Sequence, residues 1–307
     1  MKHFNKSIAL IGCGRWGRLI LRDLVALGCH VHVVARSEWS RANARQFGSA
    51  TVFGTVEELP TVDAAVIATS TSSHFSAIHK LLPRSIPIFI EKPMVSSLQQ
   101  AETLQPYADL LFVMDKWRYH PGILELTRLA QSGALGEVQS ISCTRWGWRS
   151  HPLDVSAIWH LVPHDLAIIL EILDFLPEPQ FARVEYHQDI VSGGVVLLGD
   201  QPWGEIRFSE RREQHYREVR VHGGAALAVL SDSYSPAIQL FRISSTPSEK
   251  PPAAEVLPLS DDMPLLAELT AFLAYLNGGP APKSNFADSL TIINTLEKIH
   301  ELAQPSQ

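Results

Sequence analysis

The sequence predicts a two-part α/β chain: a doubly wound parallel-sheet domain, then an α+β domain with a mostly antiparallel sheet. Three observations carry that reading. A β-branched run, Ser7 to Ile11, leads straight into Gly12-Cys13-Gly14-Arg15-Trp16-Gly17. Short apolar runs then alternate with helix-period segments as far as Met114, the pattern of βαβ units. Beyond Glu137, β-like runs succeed one another across turns such as Gly199-Asp200 and Gly223-Gly224.

The glycine segment is the most informative stretch. Gly12 permits a tight turn, Gly14 lets phosphate approach the backbone, and Gly17 lets helix and strand pack closely. Arg15 and Trp16 fill the same turn. Arg18 to Leu27 follows with Leu19, Ile20, Leu24 and Leu27 at helical spacing. A helix N-terminus placed there offers N–H groups and a favourable dipole to a pyrophosphate. Strand, glycines, helix and second strand in this order predict a Rossmann dinucleotide-binding domain.

The second strand is His30 to Ala35. Domains that take NAD usually end this strand in an acid, against the ribose 2′-hydroxyl. Here it ends Ala35-Arg36-Ser37, and the first acid, Glu38, opens the next helix. Arg36 facing a 2′-phosphate, with Ser37 donating a hydrogen bond and Arg41 one helical turn on, favours NADP over NAD. The alternative is that Arg36 is solvated surface.

The alternation continues with a helix over Ser40 to Phe47 and a buried strand over Asp63 to Thr69. Thr69 and the polar loop Ser70 to Ser73 lie at that strand's carboxyl end, where open α/β sheets bind ligands. His74 starts the next helix, which runs to Leu82, and with Thr69 and Ser70 is a candidate to line the cofactor cleft. A strand over Ile86 to Ile90 ends in Glu91-Lys92-Pro93. A further helix and the strand Leu110 to Met114 close the domain, set at residues 1–115. Lysine at Lys92 enters the functional rim of the sheet and can stabilise a developing alkoxide. Glu91 can pair with it or orient a neighbouring helix. A surface lysine before a helix is the competing reading.

The second domain is set at residues 116–283. It begins with a helix over Tyr119 to Gln131, ended by Gly133 and Gly136. Strands follow near Glu137 to Trp146, Ala182 to His187, Gly194 to Leu198, Trp203 to Phe208, Tyr216 to Val221 and Ala226 to Leu230. A helix over Pro163 to Leu173 interrupts them, and two more cover Pro264 to Leu276 and Phe286 to Leu302. Proline suits a first helical position, which puts His164 in the first turn near a site. Neutral imidazole there can exchange a proton with a hydroxyl near neutral pH; packing or capping is the plain alternative. Asp165 favours the helix N-terminus. His160 lies four residues before His164, a spacing that suits metal ligands, but Pro163 interrupts the helix and no third ligand follows, so no metal is expected. Arg145, Arg149 and His151 are candidates to line the same cleft, with Trp146, Trp148 and Trp159 as an apolar wall or as packing.

Composition narrows the function classes. The 307 residues carry 26 Lys and Arg against 32 Asp and Glu, a formal charge of -6, so no basic excess exists for nucleic acid. Three cysteines, Cys13, Cys29 and Cys143, form neither a disulfide framework nor a metal cluster, which fits a reducing, cytoplasmic setting. The opening residues read as a strand rather than a signal peptide, and no apolar run is long enough for a membrane span. Ser244 to Pro258, rich in Ser, Pro and Glu, reads as a surface excursion.

These motifs, in this order, resemble the glucose–fructose oxidoreductase/inositol dehydrogenase/MocA-like (Gfo/Idh/MocA) family. The resemblance rests on Gly12, Gly14 and Gly17, on Glu91-Lys92-Pro93, on Tyr119-His120-Pro121, and on Gly133 to Val138. His164-Asp165 and the final helix, Phe286 to Ile299, extend it. It implies an NAD(P)-dependent oxidoreductase acting on a small polar carbonyl or alcohol, often a sugar or cyclitol. It implies that Lys92 and His164 face the reacting carbon, that residues 284–307 pack back on the dinucleotide domain, and that the chain forms a homodimer or homotetramer through the open sheet. The chain departs from the family pattern at two places. His160 stands where many members carry aspartate; it lacks a carboxylate's charge but can relay a proton, and it is the third catalytic candidate, tuning the centre of Lys92 and His164, while Val162 stands where the family has glycine. Two other functional classes stay open on sequence: a non-catalytic dinucleotide-binding regulator or scaffold, and an enzyme that cycles bound cofactor during elimination, hydrolysis or epimerisation.

Overall fold

The computed structural model describes residues 3–148, 155–243 and 252–304. They form two compact units: Met1–Lys116 with Met263–Ile293, and Trp117–Asp262 with Asn294–Gln307.

In the first unit the elements run β1 (Ser7–Ile11), α1 (Gly17–Ala26), β2 (His30–Val34), α2 (Glu38–Gln46), β3 (Thr51–Phe53), β4 (Ala64–Ile67), α3 (Thr71–Leu81), β5 (Ile88–Glu91), α4 (Leu98–Thr103) and β6 (Leu111–Met114). The strands make one parallel sheet, ordered β3-β2-β1-β4-β5-β6. This is the doubly wound order whose direction of winding reverses between β1 and β4. The sequence reading misses only β3, whose three residues are too short to show a period. Ile8, Leu10, Val31, Val33, Ala64 and Val66 pack with Ile20, Leu21 and Leu24 of α1 in a buried core.

That core has a late contributor. The helix Pro264–Tyr275, α7 in chain order, presents Leu265, Leu269, Phe272 and Leu273 to it, and Phe89 stacks on Phe272 at 4.6 Å between centroids. The sequence-based boundary had grouped this helix with the second domain. Its apolar stripe gives no sign of which sheet it will cover, and the first sheet takes it.

The second unit contains α5 (Pro121–Gln131), β7 (Val138–Trp148), α6 (Ala157–Leu173), β8 (Pro179–His187), β9 (Ile190–Leu198), β10 (Trp203–Ser209), β11 (Arg211–Gly223), β12 (Ala226–Leu230), β13 (Ala237–Arg242) and β14 (Glu255–Pro258). The sheet order is β14-β13-β12-β11-β7-β10-β9-β8, antiparallel except where β10 runs parallel to β7. α5 lies against β11, β12 and β13, and α6 against β7, β9 and β10. The helix α8 (Phe286–Ala303) is the last element among the described residues; its first residues belong to the first unit and its last to the second.

One sequence expectation is corrected in α6. Pro163 is not at the first helical position; it is the seventh residue of a seventeen-residue helix that begins at Ala157. An interior proline removes one backbone hydrogen bond. Burial of nearly the whole segment offsets that loss, since Ala157, Ile158, Trp159, Leu161, Val162 and Pro163 are all buried. His164 therefore lies in the helix's second turn, and His160 and His164 share one continuous helix.

Candidate active site: a dinucleotide cleft and a histidine helix

Residues at the carboxyl ends of β1, β2, β3 and β4 enclose a cleft of about 660 Å³. The turn after β1 supplies Gly12 to Trp16. The end of β2 supplies Ala35, Arg36 and Ser37, the end of β3 supplies Gly54 to Val56, and β4 leads into Ala68, Thr69 and Ser70. The exposed face of α3 adds Ser73, Ser76 and Lys80. This is the crevice at the reversal of strand order, where doubly wound sheets take ligands.

The three glycines play separable parts. Gly12 has φ +93°, a left-handed conformation, and a Cβ there would meet the Ala68 carbonyl oxygen at 2.8 Å. A Cβ on Gly17 would stand 2.4 Å from the Gly12 carbonyl oxygen, so Gly17 serves helix–strand packing. Gly14 differs: a Cβ there would meet only the Trp39 ring at 3.8 Å. No protein atom requires glycine at that position, yet it lines the cleft. α1 has no side-chain cap and no acid in its first turn. An open backbone surface beside an uncapped helix N-terminus is the cradle a pyrophosphate needs. The residues present fit a dinucleotide. A buried hydrogen bond from Asn43 Nδ2 to the Cys13 carbonyl oxygen, 3.0 Å, pins the turn from α2. Nothing in the local sequence marks Asn43 for that task.

The cleft's charged lining is Arg15, Arg36 and Lys80, with no carboxylate. Lys80 also faces Glu57, 3.6 Å away. Arg36 and Ser37 both reach the cleft. Ser37 in addition caps α2, its Oγ accepting from Ser40 N–H at 3.2 Å. Arg41 is not in the lining, but its guanidinium lies beside Gly54, which is.

His74 stands elsewhere than expected. α3 starts at Thr71, so His74 sits in its first turn with its side chain buried. Its Nδ1 lies 3.0 Å from the Pro93 carbonyl oxygen and its Nε2 3.3 Å from that of Thr69. His74 thus ties the carboxyl end of β4 to the segment after β5, rather than lining the cleft. The Lys92–Pro93 bond is cis.

Glu91 ends β5 and Lys92 follows it, both partly buried within a cluster of charged groups. Burial pushes the Glu91 carboxyl up to about 7, against the pull of Lys92 and Lys116 and with a push from Asp115. Glu268 of α7 is 1 % exposed, and neither carboxyl oxygen has a hydrogen-bond partner. Burial holds it well above the carboxylate range, reinforced by Glu91 and Asp115. Its surroundings thus favour the protonated form. Sequence reasoning passes over it, because one acid in an apolar helix pattern reads as surface.

In the second unit, α6 is buried along Ala157–Leu170 except at two residues, His160 and His164. His160 Nδ1 lies 2.8 Å from Glu210 Oε1. Asp165 does not serve the helix N-terminus; it is the ninth helical residue, buried and held by Arg145. Arg145 is accordingly a buried ion-pair partner, with its guanidinium 4.6 Å from the Trp117 ring centroid. Nearby Arg217 is lowered to about 10 by burial and by Arg145. The expected tryptophan wall disperses: Trp159 is buried, Trp146 stacks on Tyr216 at 5.4 Å, and exposed Trp148 lies under Arg211. Arg149 and His151 lie outside the described residues. Among the described residues, no group of three or more His, Cys, Asp or Glu is placed to hold a metal ion.

The first sheet and its cleft define a dinucleotide-binding α/β protein. Residues 6–111 match the model of the Gfo/Idh/MocA oxidoreductase family with its NAD-binding Rossmann fold. A myo-inositol dehydrogenase of Streptomyces leeuwenhoekii is 31% identical over 156 residues, 48% of this chain and 48% of the relative. The rhizopine catabolism protein MocA of Rhizobium meliloti is 27% identical over 150 residues, 45% of this chain and 46% of that protein. The chain spans about half the length of the curated relatives it matches. Its fold is that of the UDP-N-acetylglucosamine 3-dehydrogenase of Acidithiobacillus ferrooxidans, with a TM-score of 0.83 at 20% identity, covering 99% of this chain and 98% of that one. No described helix is long and apolar enough to cross a membrane.

Proposed function

We propose that this protein is an oxidoreductase that prefers NADP and moves hydride to or from a small polar carbonyl or alcohol, a sugar or sugar derivative. The observation that carries the cofactor half is the cleft lining: an open Gly14 surface, the cations Arg15, Arg36 and Lys80, and no acid after β2. The similarity to a myo-inositol dehydrogenase supports the substrate class.

A bound nicotinamide supplies the hydride chemistry; the chain's residues orient the substrate and handle the proton. Lys92 holds the substrate oxygen and stabilises the alkoxide as the hydroxyl proton leaves. His164 takes that proton in oxidation and returns it in reduction. Self-association would use the face of the second sheet opposite α5 and α6, where Phe181, Leu197 and Trp203 are exposed.

The test is hydride transfer between NADP or NAD and a panel of polyols and sugars, first with wild-type protein. Lys92→Met and His164→Asn should each slow single-turnover transfer by roughly 10²–10⁴-fold, with cofactor binding retained. Reduction of neither cofactor by any panel member favours the regulator reading. Near-wild-type rates in both variants remove the assigned roles.

A further inference from the structure

Glu210 is absent from the reading above, and its position gives His160 a function. It follows β10 directly, where the chain turns into β11, and its backbone N–H donates to the Ser192 carbonyl oxygen at 2.8 Å. Its carboxylate approaches His160 Nδ1 at 2.8 Å, both side chains being partly exposed, at 16% and 22%. A carboxylate only accepts hydrogen bonds, so the imidazole proton resides on Nδ1 and Nε2 becomes the basic nitrogen.

α6 adds a second observation. From Ala157 to Leu170 the helix is buried at every position except His160 and His164. Residues four apart on a continuous helix are neighbours on one face, with Cβ atoms roughly 5–6 Å apart. Pro163 might have broken that relationship, but the helix runs through it. The accessible stripe of α6 is thus two imidazoles one turn apart, the first oriented by a carboxylate. Packing alone calls for neither group: a helix buried elsewhere by Ile, Leu, Val and Ala could bury apolar residues here too.

We propose that His160 and Glu210 form a proton relay that connects His164 with solvent, Glu210 acting as the positioning residue. The proposal rests on the oxidoreductase reading. In alcohol oxidation the substrate C–H bond breaks with its electron pair passing as hydride to the oxidised nicotinamide. The hydroxyl proton passes to His164, then through a bridging water to His160 Nε2, and from there to solvent. The Nδ1 proton stays on His160 throughout, directed at Glu210 Oε1. Reduction reverses each step, so His164 returns to its starting state in every turnover.

Two measurements test this on the full chain. Long-range ¹⁵N NMR of the wild-type protein should show His160 as the Nδ1–H tautomer, and Glu210→Gln, which preserves shape, should shift it toward Nε2–H. With an alcohol that the wild-type protein oxidises, Glu210→Gln and His160→Gln should each lower kcat by at least about tenfold. KM should change little, and the solvent isotope effect should rise as proton transfer becomes limiting. An Nε2–H tautomer in the wild type, or wild-type kcat and isotope effect in both variants, overturns the relay and leaves the oxidoreductase reading intact. A wild-type protein that oxidises no panel alcohol with either cofactor overturns both.

Discussion

Arg145 of β7 donates three hydrogen bonds to Asp165 of α6: Nε to Oδ1 at 2.9 Å, Nε to Oδ2 at 3.0 Å and a terminal guanidinium nitrogen to Oδ1 at 2.8 Å. Both side chains are almost fully buried. A buried pair of this kind gains little net stability when whole, because both charges have left water. Losing one partner is costly, since the other stays buried and unpaired. Asp165→Ala should therefore destabilise the second unit by about 3–5 kcal/mol, measured by denaturant unfolding. A loss within about 0.5 kcal/mol, the range of ordinary surface substitutions, would show that Arg145 finds another partner.

The glycine turn separates binding from folding. Gly17→Ala places a methyl against the Gly12 carbonyl oxygen and should destabilise the fold by about 1–3 kcal/mol, as overpacking does. Gly14→Ala meets no close protein atom, so melting should barely change. Its methyl would occupy the space of a phosphate, so cofactor affinity should fall at least about tenfold, a loss of 1.4 kcal/mol or more. Calorimetric titration beside thermal melting checks both. Unchanged affinity in folded Gly14→Ala protein would remove the phosphate from that surface.

How much of this is legible in sequence depends on how local the cause is. The first sheet is legible because each strand is a short apolar run and each turn carries its own glycine or polar residue. The start of α6 is not. Proline is a strong local signal for a first turn, while the force that extends the helix back to Ala157 is burial against strands distant in sequence. The strands β13 and β14 are missed as well, and β14 lies in a Ser-, Pro- and Glu-rich stretch. The site divides in the same way. Gly12, Gly14, Arg36 and Ser37 announce themselves by position after a strand. Glu210 lies in the charge run Glu210 to Glu213, where nothing singles it out. It is found only because β10 and β11 bring it to His160, fifty residues earlier in the chain. Asp165 likewise reads as a helix-start acid until its partner on β7 is seen.

The raised carboxyl of Glu268 makes the stability of the first unit depend on pH. Its carboxyl is raised far above the ordinary value of 4.5 by burial and by Glu91 and Asp115, with Lys116 opposing. The folded protein keeps this proton where the unfolded chain gives it up. Stability therefore falls as pH rises above about 4.5, at up to about 1.4 kcal/mol per pH unit for this group. Glu91, raised to about 7, contributes a second decline between 4.5 and 7. Glu268→Gln keeps the shape and removes only the first. Its melting temperature should match the wild type near pH 4 and exceed it increasingly from pH 5 to 8. A variant less stable than wild type at pH 8 would mean that Glu268 is ionised and paired.

The proposed preference for NADP turns on one guanidinium. The end of β2 carries Ala35, Arg36 and Ser37, so no carboxylate meets a ribose 2′-hydroxyl there, and the first acid, Glu38, instead opens α2 and pairs with Arg45 at 3.1 Å. Glu38 is thus committed to the helix and away from the cleft lining. Arg36 lines the cleft and is exposed, free of the desolvation that would make a buried charge costly. A guanidinium matches phosphate geometry and gives charge-assisted hydrogen bonds worth about 1.5–3 kcal/mol, roughly 10- to 100-fold in affinity. Arg36→Ala should weaken NADP binding by roughly that factor while changing NAD binding by less than about threefold, because NAD offers no 2′-phosphate to lose. The contact is exposed, so rising ionic strength should erode the preference of the wild-type protein and leave that of the variant flat. Titrating both cofactors into both proteins at low and high salt measures all of this. A wild-type protein that binds NAD more tightly than NADP at low salt would return Arg36 to the solvated surface.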